Sequence, residues 1–374
     1  MGRVRGRTRT ILFVIIAALV AFGVYANTLR HEFVWDGPTI IKQQVTAFHS
    51  AREIFFPSEG IVGVVDLHYY RPLVMLSYIA DDALWDGAPS GFHLTNVLLH
   101  VICTVLVFFL TRAILARFEE RDSGALVAAL LFGVHPIHTE SVAWMVGRSD
   151  VMGAILSFAA LLLYARYRTE GRRYWLVFAS LTFLAAGFAK ETSLAVLLFL
   201  PVMDWTLFRD QGMGGMRRSL GRYAPFAVAA VAYLLARQQG LGGGVDSVLR
   251  VSSPWRLILD LVNSYGYYVR KLALPFDLVA FVPVVPSGAG STLLSVLSLV
   301  LFLAGLAVAF SRRMRIVLLA LAFFLITLLP SVLVAIMNLS ETALAERYLY
   351  IPSLSLSILL GLATVHLLAG RKRL

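Results

Sequence analysis

The most constraining feature of this chain is a series of apolar runs, each long enough to cross a lipid bilayer as a helix. Hydrophobic residues make up 59% of the 374 residues and charged residues only 15%, which excludes a soluble enzyme, a secreted scaffold and a coiled coil. The pattern predicts an all-α polytopic membrane protein with one integral-membrane domain over residues 1–374. Ten spans are predicted: Thr10–Ala26, Phe92–Leu115, Gly124–Val146, Val151–Ala165, Tyr174–Ala189, Ser193–Phe208, Tyr223–Ala236, Leu293–Phe310, Ile316–Met337 and Ile351–Ala369.

Positive charge is distributed in short clusters between these runs. The formal charge is +11, but no basic arm emerges, so the pattern predicts membrane topology and no nucleic-acid partner. Placing the N-terminus inside puts most Lys and Arg residues on the cytoplasmic face, which predicts both termini in the cytoplasm. We expect an integral protein of the bacterial inner or cell membrane.

Two long segments, 27–91 and 238–290, are predicted to lie outside, because carboxylates collect there. Each holds a semi-apolar stretch, Arg71–Trp85 and Trp255–Leu274, that is expected to form an interfacial helix. The single cysteine, Cys103, lies in an apolar run, which excludes an internal disulfide.

Ionisable residues near the ends of spans are the candidate site residues, because burying them in a membrane is costly. Asp36 follows the first span beside aromatic residues and is a candidate general base toward an acceptor hydroxyl; an Asx-type turn before Gly37-Pro38 is the alternative. His135, His138 and Glu140 lie between two apolar runs. If this stretch is helical, Glu140 and Arg148 share a face with Trp144.

The two histidines lack the His-Glu-x-x-His arrangement of zinc proteases, so interhelical hydrogen bonding is the alternative to metal binding. Lys190 and Glu191 begin the sixth predicted span, and they form either a buried ion pair or part of a phosphate site. Arg347, beside Glu346 and Tyr348, and Arg71 are further candidate phosphate ligands, because a guanidinium can bind two phosphate oxygens. Snorkelling at a span end would also explain Arg347.

Five motifs follow one another in order: Tyr70-Arg71-Pro72-Leu73, Gly91-Phe92-His93-Leu94-Thr95-Asn96 through His100, His135-Pro136-Ile137-His138-Thr139-Glu140 with Gly147-Arg148, Lys190-Glu191, and Ala345-Glu346-Arg347-Tyr348-Leu349-Tyr350-Ile351-Pro352-Ser353. Together they resemble the transmembrane and tetratricopeptide-repeat O-mannosyltransferases and their bacterial relatives. The resemblance covers nearly the whole chain, but the sequence up to Leu374 does not include the helical repeats that follow the last span in the relatives.

The resemblance implies a GT-C glycosyltransferase that moves a sugar, mannose by family likeness, from a polyprenyl- or dolichyl-phosphate donor to an acceptor hydroxyl on the external or periplasmic side. It implies Asp36 as catalytic base. Arg71, Arg148, Lys190, Arg347 and Tyr348 would bind the donor phosphate, and the pocket would be shaped by His135, His138, Glu140, Glu191 and Glu346.

Relatives carry two adjacent acids where this chain has Asp36-Gly37, which puts a divalent cation, Mg²⁺ or Mn²⁺, in question as cofactor. The implied acceptor is a protein or an envelope glycan. A lipid-linked glycan transporter and a degenerate lipid-phosphate-binding protein are the alternatives.

Overall fold

The protein is built from helices. The computed structural model describes residues 2–40, 45, 47–48, 50–57, 69–211, 216–241, 253–337 and 342–371. Within these ranges the only β-pairing is an isolated bridge between Val282 and Leu344. The prediction of an all-α polytopic membrane protein is confirmed.

The described ranges contain fifteen α-helices, in chain order: α1 Gly2–Tyr25, α2 Gly37–Thr39, α3 Ala51–Phe55, α4 Pro72–Trp85, α5 Pro89–Ile114, α6 Arg121–Val134, α7 Thr139–Ala143, α8 Arg148–Glu170, α9 Arg173–Ala189, α10 Val196–Leu207, α11 Met216–Gly240, α12 Pro254–Ala273, α13 Ala289–Ser311, α14 Arg315–Ile336 and α15 Leu354–Arg371. Short 3₁₀ turns connect several of them: Ala26–Arg30, Pro136–His138, Met145–Gly147, Glu191–Ala195, Arg209–Gln211 and Glu346–Leu349.

Among the residues that the structure describes, six helices are long and apolar enough to cross a membrane. A seventh span results if α6 and the stretch Pro136–Ala143, bent by 50° at their junction, are counted as one. Helices α9 and α15 are apolar but shorter. The predicted span Ser193–Phe208 consists of a 3₁₀ turn followed by the 12-residue α10. Every predicted span therefore contains a helix, while the number of crossings, ten, stays a prediction.

The core lies where α5, α6, α8, α9, α14 and α15 pack together. Two glycines allow α6 and α15 to approach closely: a Cβ on Gly124 of α6 would lie 2.6 Å from the carbonyl oxygen of Gly361 in α15. Small residues of this kind let backbones of membrane helices touch. Helix α13, by contrast, leaves Leu297, Leu301 and Phe310 exposed, as expected of a lipid-facing helix.

The two long segments predicted outside hold α4 and α12, as the sequence predicts, and neither is among the candidate spans. Helix α12 turns Asn263, Tyr268 and Lys271 to the interior and leaves Trp255 and Ile258 exposed. The glycine-rich stretch 240–244 falls mostly outside the described residues, as does most of 41–68. Whether α4 and α12 lie on a membrane surface stays a prediction.

One expectation is wrong. The stretch after Pro136 is not a continuous helix, because the backbone of Trp144 is extended (φ −83°, ψ 123°) between α7 and the Met145–Gly147 turn. The Asn96 side-chain amide donates to the carbonyl oxygens of Val142, Trp144 and Met145, each at 3.3 Å. A continuous helix would use these carbonyls internally, so Glu140 and Arg148 do not share a face.

Candidate active site

Three ion pairs form one group, which we call the three-pair cluster: Arg71–Glu191, Lys190–Asp150 and Arg347–Glu140. Arg71 binds Glu191 with two parallel hydrogen bonds, Nε to Oε2 at 3.0 Å and Nη2 to Oε1 at 2.7 Å. Glu140 accepts from the Arg347 guanidinium and, at 2.8 Å, from the Arg347 backbone N–H.

Ser149 and Tyr348 connect the three pairs. Arg71 Nη1 donates to Ser149 Oγ at 3.3 Å, beside Asp150. The Tyr348 ring centroid lies 5.6 Å from Lys190 Nζ and 5.1 Å from the Arg347 guanidinium carbon. The sequence segments before α4, at the start of α8, between α9 and α10 and before α15 thus converge at one end of the bundle.

The electrostatics follow from this pairing. Burial alone would raise the pKa of Glu191, but the adjacent Arg71 charge and its hydrogen bonds outweigh burial and lower that pKa to about 2. Burial lowers the pKa of Lys190, and Asp150 opposes the shift. Glu140 raises the pKa of Arg347 in spite of burial. The cluster therefore sets three basic side chains against three carboxyl groups, one in each pair.

Asp36 lies on a separate loop with an exposed side chain. It precedes α2 without capping it through its side chain, so the predicted Asx-type turn lacks that hydrogen bond. Its neighbour Trp35 adopts a positive φ of 52° and contacts the Trp144 ring at 5.4 Å between centroids. The Arg347 guanidinium lies 5.2 Å from the Trp144 ring. Two aromatic contacts thus connect the Asp36 loop to the three-pair cluster.

Arg148 does not join the cluster. It is 0% exposed, and its five N–H groups all have acceptors: Asn96 Oδ1 at 2.7 Å, the Ser77 carbonyl and hydroxyl, Asp81 Oδ2 at 2.5 Å and the Phe92 carbonyl. A guanidinium with no free N–H has nothing to offer a phosphate. Arg148 instead fixes Asn96, which in turn fixes the Trp144 segment.

The two histidines of the predicted pocket make hydrogen bonds within the protein. His138 pairs with the Phe132 carbonyl through Nδ1 and with Ser353 Oγ through Nε2, both at 2.8 Å. His135 Nε2 lies 3.2 Å from the Leu272 carbonyl. No group of three His, Cys, Asp or Glu residues that could hold a metal ion occurs among the described residues. Their pairing matches the interhelical alternative, and the donor set does not fit a divalent cation.

Glu346 lies apart from the ion pairs, although it precedes Arg347. Its Oε1 accepts a hydrogen bond from the Val279 N–H at 2.5 Å, and burial raises its pKa. Through this bond the last loop is held against the segment that follows α12.

Sequence reasoning did not select Asp150, Trp144 or Asn96 as site residues. Asp150 pairs with Lys190, 40 positions away, and only the packing of α8 against α9 brings them together. The sequence did contain a feature that could have identified Asp150, because this carboxylate directly precedes an apolar run and lies in the same stretch as Glu140. Asn96 gave no such signal, because a single amide inside an apolar helix has many structural uses.

Comparisons with known proteins give consistent relatives. No family model matches the chain. Protein O-mannosyl-transferase Tmtc2 of Drosophila melanogaster is 34% identical over 277 residues, 68% of this chain and 29% of that protein. Protein O-mannosyl-transferase Tmtc1 of the same fly is 34% identical over 190 residues, 50% of this chain and 22% of that protein.

Human protein O-mannosyl-transferase TMTC4 is 27% identical over 348 residues, 78% of this chain and 46% of that protein. The chain thus spans less than half the length of these curated relatives. The resemblance that the five ordered motifs predict is confirmed: this integral membrane protein is a homologue of the transmembrane protein O-mannosyl-transferases.

Proposed function

We propose that this protein is a membrane glycosyltransferase of the GT-C type that moves a hexose, mannose by its relatives' names, from a polyprenyl-phosphate donor to an acceptor hydroxyl on the external face. One observation carries the proposal. Three cations from separate segments converge in the three-pair cluster, and two aromatic contacts connect that cluster to the loop bearing the exposed carboxylate of Asp36.

The cations suit the donor phosphate. In the protein alone, Arg71, Lys190 and Arg347 each face a carboxylate, which is an anion with the planar oxygens that a guanidinium fork binds. A lipid phosphate entering the cluster would take over some of these N–H donors. Positive charge aimed at the phosphate stabilises the negative charge that develops as the lipid phosphate departs.

Asp36 is the proposed base. Its carboxylate takes the proton of the acceptor hydroxyl while the hydroxyl oxygen attacks the anomeric carbon. The bond from that carbon to the phosphate oxygen breaks, and the lipid phosphate leaves with the bonding electrons. Exposure of Asp36 keeps it accessible to an acceptor, and Glu140 and Glu191 orient the arginines that hold the phosphate.

The remaining residues support the pocket. His138 and His135 hold the connection between α6 and α7, and Glu346 holds the last loop. No step is assigned to a divalent cation, because the described carboxylates and histidines do not form a ligand set. The proposed acceptor is a protein or an envelope glycan. The proposal keeps both termini in the cytoplasm, which the distribution of Lys and Arg supports.

The test is sugar transfer by the purified protein in lipid, with radiolabelled polyprenyl-phosphate-mannose as donor and native envelope extract as acceptor. Asp36→Asn should reduce transfer by about a hundredfold or more, because it removes the base. Asp86→Asn is the matched control, since Asp86 is an exposed carboxylate of the same external segment, and it should transfer as the wild type does. Equal transfer by Asp36→Asn and wild type would remove Asp36 from the reaction.

A further inference from the structure

We propose that Trp144 binds the donor sugar, with its indole N–H donating a hydrogen bond to a hydroxyl of the hexose on the lipid phosphate. This inference rests on the proposed function, and it assigns the sugar subsite of the same site. Trp144 is absent from the residues that the sequence motifs single out for chemistry, so it comes from the geometry alone.

The indole N–H of Trp144 is an unused hydrogen-bond donor. Trp144 Nε1 is shielded from solvent and has no hydrogen-bond partner within the part of the chain that the structure describes. Buried indole N–H groups normally find an acceptor. Even where the hydrogen bond is exposed to solvent, the Trp175 Nε1 donates to Glu170 Oε2 at 2.8 Å. An orphaned donor beside a proposed substrate site is explained by an acceptor that arrives with the substrate.

Trp144 also lies between the proposed base and a proposed phosphate ligand. Trp144 contacts Trp35, the neighbour of the proposed base Asp36, and also lies under the guanidinium of Arg347, a proposed phosphate ligand. In a lipid-phosphate sugar, the hexose is attached directly to the phosphate, and the acceptor oxygen attacks the hexose carbon that carries that phosphate. A residue between the phosphate ligand and the base is therefore at the place of the hexose.

The backbone around Trp144 is held in place by other parts of the protein. The Trp144 carbonyl accepts from Asn96 Nδ2 at 3.3 Å, and Asn96 Oδ1 accepts from Arg148 at 2.7 Å. A Cβ on Gly147 would lie 2.7 Å from the carbonyl oxygens of Glu140 and Ser141, so only glycine permits this tight return of the chain. The backbone that carries the indole is thus fixed before substrate binds, as a binding group requires.

The experiment measures the dissociation constants of two lipids, polyprenyl-phosphate-mannose and bare polyprenyl phosphate, for the protein in nanodiscs. Wild type should bind the mannosylated lipid more tightly than the bare lipid. Trp144→Phe keeps an aromatic ring but removes the N–H, and it should weaken binding of the mannosylated lipid about tenfold while leaving the bare lipid unchanged. Trp175→Phe is the matched control and should change neither constant.

The outcomes separate this inference from the proposed function. Unchanged binding of bare lipid by Trp144→Phe also shows that the variant is folded. Wild-type-like preference for the mannosylated lipid in Trp144→Phe, or equal weakening of both lipids, would overturn the sugar subsite and leave the phosphate site standing. If wild type binds neither lipid, the proposed function fails and the subsite fails with it.

Discussion

Two groups of buried charges lie at opposite ends of α8, and they are built differently. Near the start of α8, the three-pair cluster sets three cations against three carboxylates. Near its end, Asp204 accepts hydrogen bonds from Arg168, from Arg222 at 2.8 Å and from the Tyr223 hydroxyl at 2.9 Å. Eighteen residues separate Asp150 from Arg168, which is about 27 Å along a helix.

The difference lies in what surrounds each group. The Asp204 carboxylate is 1% exposed and is surrounded by donors from α8 and α11, so it connects helices inside the protein. Unused polar atoms occur at both ends: the buried Tyr164 hydroxyl beside Asp204 lacks a partner within the described residues, as do Asp150 Oδ2 and Trp144 Nε1 in and beside the three-pair cluster. The three-pair cluster is also connected to the exposed carboxylate of Asp36. Neither buried charge nor an unused donor by itself identifies a site, and the cluster differs by its three converging cations and this exposed carboxylate.

The largest expected effect comes from removing the carboxylate charge of the Asp204 group. Asp204→Asn leaves Arg168 and Arg222 buried side by side without their carboxylate, which should lower the free energy of unfolding by about 3–5 kcal/mol. Unfolding in mixed micelles, followed by circular dichroism, measures this change. Sugar transfer per folded molecule should stay at the wild-type level, because the proposed site lies at the other end of α8.

The control at the same end is Asp210→Asn. Asp210 is 81% exposed in its side chain and pairs with Arg315 at 3.1 Å, and an exposed pair contributes less than about 1 kcal/mol. If Asp204→Asn proved no more destabilising than Asp210→Asn, the Asp204 group would not be the structural connection described here.

The second prediction concerns the three-pair cluster at the other end of α8. The double variant Glu140→Gln/Arg347→Gln removes both charges of one pair, so no unpaired charge is left buried. Transfer should fall about a hundredfold, because one donor to the departing phosphate is lost, while the unfolding midpoint stays close to that of the wild type. Arg347→Lys, which keeps the charge but not the planar fork, should retain part of the activity. Wild-type transfer by the double variant would exclude Arg347 as a phosphate ligand.

The smallest effect concerns pH. The pKa of Glu191 is lowered to about 2 from its ordinary value of 4.5. Its ionised form therefore stabilises the fold fully above about pH 4.5, and that contribution is lost as the pH falls toward 2. Thermal unfolding of wild type and Glu191→Gln between pH 3 and 6 should show a difference that is constant at the upper end and shrinks below about pH 4.5. A difference independent of pH would contradict the Arg71–Glu191 pairing.

The sequence predicted the helical membrane class because apolar runs of spanning length have few other uses. It also placed Lys190, Glu191 and Arg347 near the ends of spans and Arg71 at the start of an interfacial stretch, and the structure brings these residues together. The ends of membrane spans are predictable from hydropathy alone, because charged residues mark where an apolar run stops.

The hydrogen-bond partners of each buried charged residue were not predictable in the same way. Arg148 and Arg347 look equivalent in the sequence. The N–H groups of Arg148 are used up by Ser77, Asp81, Phe92 and Asn96, whose positions beside it depend on the fold. The break at Trp144 has the same kind of cause, because Asn96 on another helix holds the carbonyls there. Contacts between distant segments decide which buried charge is structural, and one sequence does not contain them.

The central claim is that the three-pair cluster binds a lipid phosphate and the Asp204 group does not. Its most direct test is the affinity for bare polyprenyl phosphate of the wild type, Glu140→Gln/Arg347→Gln and Asp204→Asn, each in nanodiscs at a temperature where all three are folded. The account predicts clearly weaker binding by the double variant and wild-type binding by Asp204→Asn. Equal binding by all three proteins, or a loss confined to Asp204→Asn, would contradict it.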